Sequence, residues 1–211
     1  MRTIFALIGF LLGSGDAALA QGPPPPAKPA EIVAYHDSGD WDADITRVIR
    51  RARRQVSRHS DDIRPALVLD VDDTSLSNYE CLKQFDFDRA ASDCGNRSDL
   101  PAIPQTRGLY RFARRRDVTV FFITGRRERT RSVTRTNLRA AGYTGKIRIR
   151  LRPNRERSGT HDGWKARTRR TIQERGYTIV ANVGDQRSDL DGGHALRTFK
   201  LPNPMYVIPT A

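Results

Sequence analysis

An apolar run that ends in carboxylates constrains this chain more than any other feature. Residues 66–69 (ALVL) lead directly into residues 70–74 (DVDDT). Two carboxylates one residue apart at the end of a buried strand are a poor way to build a core, because ionised groups lose their hydration there. In an extended chain Asp70 and Asp72 project to the same side, so one can attack while the other exchanges a proton. An acidic loop that caps a strand fits the same lone motif.

The first 20 residues have the pattern of a secretory signal peptide. Arg2 gives a positive start, residues 4–12 an apolar core, and residues 18–20 (ALA) a small-residue cleavage site. This run is too short to span a membrane, and no other stretch is long and apolar enough. Residues 21–30 hold five prolines, which is typical of a polyproline spacer. We therefore predict a secreted or periplasmic protein whose residues 31–211 form one domain.

The chain has two cysteines, Cys81 and Cys94. In an exported protein a disulfide between them is the expectation, and chain entropy gives a loop of this size a stabilisation of about 3 kcal/mol. Two unpaired thiols are the alternative. A metal role is disfavoured, because no histidine or further cysteine lies at ligand spacing around them.

The formal net charge is +13, and arginine far outnumbers lysine. Such a charge attracts anions, so phosphorylated substrates, nucleic acids and acidic membrane surfaces are all partners to consider. The arginines are scattered over predicted helices and are not interleaved with aromatic residues, as a nucleic-acid groove requires. We therefore interpret them as solvated faces and predict no specific nucleic-acid partner. Whether the protein forms a homo-oligomer is left open.

Helical and strand patterns alternate along the chain. Apolar spacing predicts helices over residues 41–59, from Pro104 to about 116, 127–141 and 164–175, and strands over residues 66–70, 118–123, 147–151 and 179–183. Residues 75–100 are irregular. Alternation of this kind indicates an α/β fold with a mostly parallel sheet and helices on both faces. In residues 147–151 apolar side chains alternate with arginines, which predicts a strand near the sheet edge.

Polar residues suited to phosphate chemistry follow three of these strands. Taken singly, each could be a helix cap, a turn residue or an exposed helix residue. Together they fall at the carboxyl ends of parallel strands, where such folds bind their ligands. The residues are Asp70 and Asp72 after the first strand, Thr124, Gly125 and Arg126 after the second, Lys165 in the helix before the last, and Asp185 and Asp189 after the last.

Five segments of the chain resemble a known family, the secreted acid phosphatases of the haloacid dehalogenase superfamily, subfamily IIIB. This branch includes plant vegetative storage protein-like phosphatases and bacterial class B-related acid phosphatases. The resemblance implies a Rossmann-like core with a small cap, here about residues 75–100, inserted after the first motif. The segments are residues 67–78 (LVLDVDDTSLSN), 121–126 (FFITGR), Lys165, 182–190 (NVGDQRSDL) and 200–209 (KLPNPMYVIP).

The resemblance also implies a reaction. Asp70 would attack phosphorus and form an aspartyl-phosphate. Asp72 would protonate the leaving alcohol and then take a proton from the hydrolytic water. A small phosphomonoester would be the substrate. The tyrosine and two phenylalanines of the cap would either stack on a nucleoside or aryl leaving group or form the cap's own core; these are Tyr79, Phe85 and Phe87.

The implied cofactor is Mg²⁺. It would bridge the carboxylates of Asp70 and Asp185 and the main-chain carbonyl of Asp72, with Asp189 in or just outside the coordination sphere. Thr124 and Lys165 would neutralise charge on the phosphoryl oxygens, and Gly125 and Arg126 would bind the phosphate or substrate with them.

Two alternatives to a general acid phosphatase stay open. One uses the same site as a nucleotide or nucleic-acid-end phosphatase, or as a phosphotransferase. The other is a non-catalytic anion-binding or storage protein that keeps the fold. The intact pair of Asp70 and Asp72 argues against a non-catalytic protein.

Overall fold

Five strands form one sheet in a computed structural model that describes residues 27–91, 93–155 and 161–209. They are β1 (Pro65–Leu69), β2 (Thr119–Arg127), β3 (Arg148–Arg152), β4 (Thr178–Gly184) and β5 (Thr198–Lys200). Every pairing is parallel and the order is β3-β2-β1-β4-β5. This confirms the predicted α/β fold. β3 is an edge strand, as its alternating pattern indicated, whereas the three residues of β5 are too few to show a pattern.

Seven helices surround the sheet in the described part of the chain. They are α1 (Pro29–Asp37), α2 (Asp40–Arg58), α3 (Tyr79–Lys83), α4 (Pro104–Arg114), α5 (Arg131–Ala140), α6 (His161–Glu174) and α7 (Arg187–Leu190). None of these helices is both long enough and apolar enough to cross a membrane.

Several helix boundaries differ from the prediction; α6, for example, begins at His161 and not at residue 164. The helix predicted over residues 127–141 begins at Arg131, because β2 continues to Arg127 and a 3₁₀ turn follows it. The last residues of the predicted spacer 21–30 are helical, since α1 begins at Pro29, where a fixed φ suits the first turn of a helix. The predicted signal peptide, residues 1–20, lies outside the described residues.

The central strand β1 supplies both hydrophobic cores. Leu67 and Leu69 point to one face, where α2 and α4 pack. Ala66 and Val68 point to the other, where they meet Trp164 of α6. A strand covered on both faces needs a continuous apolar run, and that is why residues 66–69 lack a polar alternation. The chain must therefore place its first polar side chain at the strand's carboxyl end.

The segment between β1 and α4, residues 75–100, contains a disulfide. Cys81 in α3 is bonded to Cys94 in a 3₁₀ turn, which confirms the predicted pair. Of the three aromatic residues in this segment, Tyr79 stacks on His36 with ring centroids 3.5 Å apart and belongs to the main core, as does Phe87. These two side chains therefore pack inside the protein.

Candidate active site

A cavity of about 450 Å³ lies at the carboxyl ends of the strands. β1 leads into Asp70, β2 ends near Arg126, and β4 leads into Asp185, so the topology brings these loops together. Seven of the eight predicted site residues line this cavity: Asp70, Asp72, Gly125, Arg126, Lys165, Asp185 and Asp189.

Thr124 is the exception. It is completely buried within β2, and its hydroxyl oxygen accepts a hydrogen bond from the main-chain amide of Arg126 at 3.1 Å. Its side chain does not line the cavity. The hydroxyl therefore serves the local turn in this structure, and its predicted contact with a phosphoryl oxygen stays a prediction.

Lys165 joins two of the carboxylates. Its Nζ donates to Oδ1 of Asp70 at 2.6 Å and to Oδ1 of Asp189 at 2.5 Å. All three residues are less than 10% exposed, so water screens the charges weakly. Burial lowers the pKa of Lys165, but the adjacent Asp189 and Asp70 outweigh it and raise the pKa above its usual value. Lys165 is therefore a fixed positive charge at the base of the cavity.

The environment of Asp70 disfavours the ionised form of its carboxyl group. Burial raises its pKa well above the usual value, and the negative charge of Asp189 adds to this, while Lys165 lowers it. Perturbation of this kind, in a cavity, is typical of functional carboxylates. The site holds Asp70 at an electrostatic cost that a bound cation would relieve.

Asp185 is held by neutral donors. Its Oδ1 accepts from the hydroxyl of Thr74 at 2.9 Å, and its Oδ2 accepts from the side-chain amides of Gln186 at 2.6 Å and Asn203 at 2.7 Å. Burial and the neighbouring Asp189 raise its pKa to about 6. Three hydrogen bonds fix the orientation of this carboxylate without supplying a counter-charge.

Three buried carboxylates could hold a divalent metal ion. Oxygen atoms of Asp70, Asp185 and Asp189 all lie within 4.8 Å of one another. Three carboxylates against the single ammonium of Lys165 leave two negative charges, and all the side-chain donors are oxygen atoms. Hard divalent cations prefer such ligands, so the donor set and the charge both fit one.

Asp72 is paired with Arg126, a contact that the sequence did not reveal. Nη2 of Arg126 donates to Oδ1 at 2.8 Å and Nε donates to Oδ2 at 3.0 Å. Burial raises the pKa of Asp72, but the charge and hydrogen bonds of Arg126 outweigh it and lower the pKa below its usual value. Arg126 was predicted to contact phosphate; in this structure it contacts the carboxylate beside it.

Asp73 fixes the loop that follows Asp70 and Asp72. Its backbone is left-handed, with φ of 53°, a conformation that costs free energy in a non-glycine residue. The buried carboxylate compensates by accepting from the main-chain and side-chain amides of Asn78 at 2.8 and 3.0 Å and from the hydroxyl of Tyr206 at 2.6 Å. Nothing in the sequence indicated these hydrogen bonds.

Arg169 and Gly184 position Asp189. Arg169 is 1% exposed, and its Nη1 donates to the main-chain carbonyl of Asp189 at 2.5 Å while its Nε donates to that of Gly193 at 2.8 Å. It lies one helical turn after Lys165, so α6 holds Asp189 by its backbone and by its side chain. A Cβ at Gly184 would lie 2.5 Å from the Asp189 carboxylate, so only glycine fits there.

Known proteins resemble this chain in sequence. Acid phosphatase 1 from Solanum lycopersicum is 37% identical over 159 residues, which cover 70% of this chain and 61% of the relative. Vegetative storage protein 1 from Arabidopsis thaliana is 31% identical over 150 residues, which cover 68% of this chain and 55% of the relative. The chain therefore spans less than two thirds of the length of these curated relatives.

The fold and the family agree with these similarities. The class C acid phosphatase from Bacillus anthracis superposes with a TM-score of 0.66 over 85% of both chains, at 18% identity, a likeness of fold. The profile of the haloacid dehalogenase superfamily, subfamily IIIB (acid phosphatase), matches residues 18–209. Because that match covers nearly the whole chain, the chain belongs to subfamily IIIB of the haloacid dehalogenase superfamily, the acid phosphatase subfamily.

Proposed function

We propose that this protein is an exported, Mg²⁺-dependent acid phosphatase that hydrolyses small phosphomonoesters through a phosphorylated Asp70. The observation that carries the proposal is the setting of Asp70, a buried carboxylate that faces the cavity with one oxygen on Lys165. Membership of an acid phosphatase subfamily supports the reaction class. The signal-peptide pattern of residues 1–20 supports export.

In the first half of the reaction, Asp70 attacks phosphorus in line with the ester oxygen. A bond forms between a carboxylate oxygen of Asp70 and phosphorus, and the bond from phosphorus to the leaving oxygen breaks. The leaving oxygen takes the proton of the Asp72 carboxyl and departs as the alcohol. Asp70 then carries the phosphoryl group, and Asp72 is ionised.

In the second half, water attacks the phosphorus of the aspartyl-phosphate. Asp72 takes a proton from that water, and the bond between phosphorus and the Asp70 oxygen breaks to release inorganic phosphate. Asp72 thereby recovers the proton that it gave to the leaving oxygen, and the cycle is complete. Arg126 stabilises the ionised form between the two halves, because its guanidinium contacts both carboxylate oxygens.

Positive charge is needed wherever the phosphoryl group meets these carboxylates. Mg²⁺ would be held by the carboxylates of Asp70 and Asp185 and the main-chain carbonyl of Asp72, with Asp189 binding directly or through water. When bound, it offsets the negative charge of the phosphoryl oxygens. The remaining contacts with those oxygens would come from Thr124, Gly125, Arg126 and Lys165, and residues 75–100 would act as the cap.

A release assay tests this proposal. Protein purified after export should liberate inorganic phosphate from aryl and alkyl phosphates when Mg²⁺ is present. Asp70→Asn should be inactive, because the amide is nearly isosteric but a poor nucleophile. Asp61→Asn removes an exposed carboxylate outside the cavity and should keep full activity.

The same assay separates the catalytic function from a storage function. The relatives include vegetative storage proteins, which is the reason to keep this second candidate. Asp70, Lys165 and Asp185 are all present and face one cavity, which favours catalysis. Absence of turnover on every phosphomonoester, with the fold intact, would favour storage.

A further inference from the structure

The cavity beside Asp70 extends beyond the carboxylates, and arginine is the most frequent residue type in the rest of its lining. Asp93 is the one further acidic side chain among the described residues that line it. A volume of about 450 Å³ accommodates a leaving group as well as a phosphoryl group. Besides the paired Arg126, four arginines contribute to the lining: Arg89, Arg127, Arg129 and Arg152.

Aromatic surface is scarce in the same cavity. Within the described part of the chain Tyr206 is the one aromatic residue in the lining. Its hydroxyl is engaged by Asp73, and the guanidinium of Arg89 lies over its ring, 5.0 Å from the centroid. Tyr79 and Phe87, which were candidates for stacking on a leaving group, are buried in the core instead. The lining therefore suits a charged leaving group better than a flat apolar one.

Arg129 is placed to bind an anion. It lies in the 3₁₀ turn after β2, and its main-chain amide donates to Oδ1 of Asn154 at 3.0 Å. Its side chain is exposed, and its guanidinium has no hydrogen-bond or salt-bridge partner among residues 27–91, 93–155 and 161–209. Arg131, two residues later, is by contrast paired with Glu128. A guanidinium presents a planar fork of donors that matches carboxylate and phosphate oxygens.

We propose that this part of the cavity is a second anion subsite, with Arg129 as its principal contact. The preferred substrates would then be phosphomonoesters whose leaving group carries a further carboxylate or phosphate. This inference rests on the proposed phosphatase function, because a phosphoryl group at Asp70 places the leaving group toward the arginines. The four arginines raise the local positive potential whatever other contacts they make.

Matched substrate pairs test the subsite. 3-Phosphoglycerate and glycerol 3-phosphate differ by a carboxylate in place of a hydroxymethyl group. The bisphosphate and monophosphate of 1,3-propanediol differ by a second phosphate. In at least one pair we expect kcat/KM to be about tenfold or more higher for the member with the extra anion, the effect of one charge-assisted bidentate contact. The pair that shows it identifies the anion.

Substitutions assign the preference to a residue. Arg129→Gln should lower the ratio of kcat/KM within the responding pair about tenfold, and Arg129→Lys should lower it less. Arg139→Gln is the control, because it removes the same charge from an exposed position on α5 outside the cavity. It should leave the ratio unchanged. An equal loss of ratio in both variants would overturn the subsite and assign the preference to the protein's general positive charge.

A binding measurement separates this inference from the proposed reaction. Calorimetric titration of the Asp70→Asn protein with both members of each pair, in buffer containing Mg²⁺, reports affinity without turnover. Tighter binding of the anionic member, lost in Asp70→Asn with Arg129→Gln, supports the subsite even where the wild-type protein fails to release phosphate. Equal affinity within both pairs would overturn the subsite while leaving the phosphatase function intact.

Discussion

Arg126 donates hydrogen bonds to both carboxylate oxygens of Asp72, with Nη2 2.8 Å from Oδ1 and Nε 3.0 Å from Oδ2. These two hydrogen bonds join the end of β2 to the loop after β1. The side chains are 4% and 18% exposed, so solvent and salt screen this pair less than a surface salt bridge. Arg126 lowers the pKa of Asp72 and so favours the ionised form that acts as a base.

A double-mutant cycle tests whether the two residues act as a unit. We expect Arg126→Gln and Asp72→Ala each to lower kcat for an aryl phosphate by roughly 10²-fold, the scale of general acid-base catalysis, because with a good leaving group the base-assisted hydrolysis of the aspartyl-phosphate limits turnover. If Arg126 acts through Asp72, the double variant should be little slower than Asp72→Ala alone. Multiplication of the two losses, to roughly 10⁴-fold, would instead mean that Arg126 contacts the substrate independently of Asp72.

The position of the cavity could be predicted, because short local patterns in the sequence indicate the strands and the polar residues at their ends. The apolar run of residues 66–69 marks β1, and Asp70 follows it at once. The topology of a parallel sheet then collects the carboxyl ends at one edge. Asp70, Asp185 and Lys165 were found by this reasoning without any knowledge of distances.

The pairing of side chains could not be foreseen in the same way. Arg126 and Asp72 are 54 positions apart, and Asp73 and Tyr206 are 133 apart. Which arginine meets which carboxylate depends on loop conformations that no periodic pattern encodes. The contacts of Arg169 are harder still to predict, because its acceptors among the described residues are main-chain carbonyls, which residue types do not reveal. Among many exposed arginines, nothing in the sequence distinguishes a buried one.

Substitution of Arg169 tests its role in holding the loop around Asp189. Arg169→Met keeps much of the bulk of the side chain but removes the charged donor to the main-chain carbonyls of Asp189 and Gly193, of which Asp189 keeps the side-chain amide of Asn182 as a donor. We expect the free energy of unfolding to fall by roughly 2–4 kcal/mol in urea titrations. Arg170→Met is the matched control, because Arg170 is exposed and makes a 3.7 Å surface pair with Glu174; its effect should stay within about 0.5 kcal/mol. Equal effects of the two substitutions would contradict a positioning role for Arg169.

Metal removal tests the cation site. Chelation should abolish turnover and Mg²⁺ should restore it, because the carboxylates of Asp70, Asp185 and Asp189 otherwise repel an anionic substrate. As a readout independent of activity, Mg²⁺ should raise the Tm of the chelated protein, since a ligand that binds only the native state stabilises it. Asp185→Asn should lose that rise in Tm. Full activity after exhaustive chelation and dialysis would refute the site.

Tyr143 provides a test of stability at alkaline pH. It is fully buried and donates to the main-chain carbonyl of Ser75 at 2.8 Å, and burial raises the pKa of its hydroxyl. Above pH of about 10 the unfolded chain loses this proton while the native state keeps it, so the wild-type protein loses about 1.4 kcal/mol of unfolding free energy per pH unit from this group. Tyr143→Phe has no hydroxyl to ionise, so its unfolding free energy does not fall with pH from this group.

The expected result is a stability difference that closes as pH rises. Tyr143→Phe should be about 1 kcal/mol less stable than wild type at pH 8, from the lost hydrogen bond, and roughly equal to it at pH 11. Tyr177 is the control of opposite sign, because its hydrogen bond with Arg64 lowers its pKa. The deficit of Tyr177→Phe should widen with pH. A constant deficit for Tyr143→Phe would contradict the assignment.

In the proposed reaction Asp70 carries the phosphoryl group, and rapid acid quench measures this directly. Protein mixed with ³²P-labelled substrate and quenched in acid within one turnover should retain label, and peptide mass spectrometry should place it on Asp70. Asp70→Asn should keep its fold and show neither label nor turnover. Release of phosphate at the wild-type rate without any protein-bound label, or turnover by Asp70→Asn, would rule out Asp70 as the nucleophile.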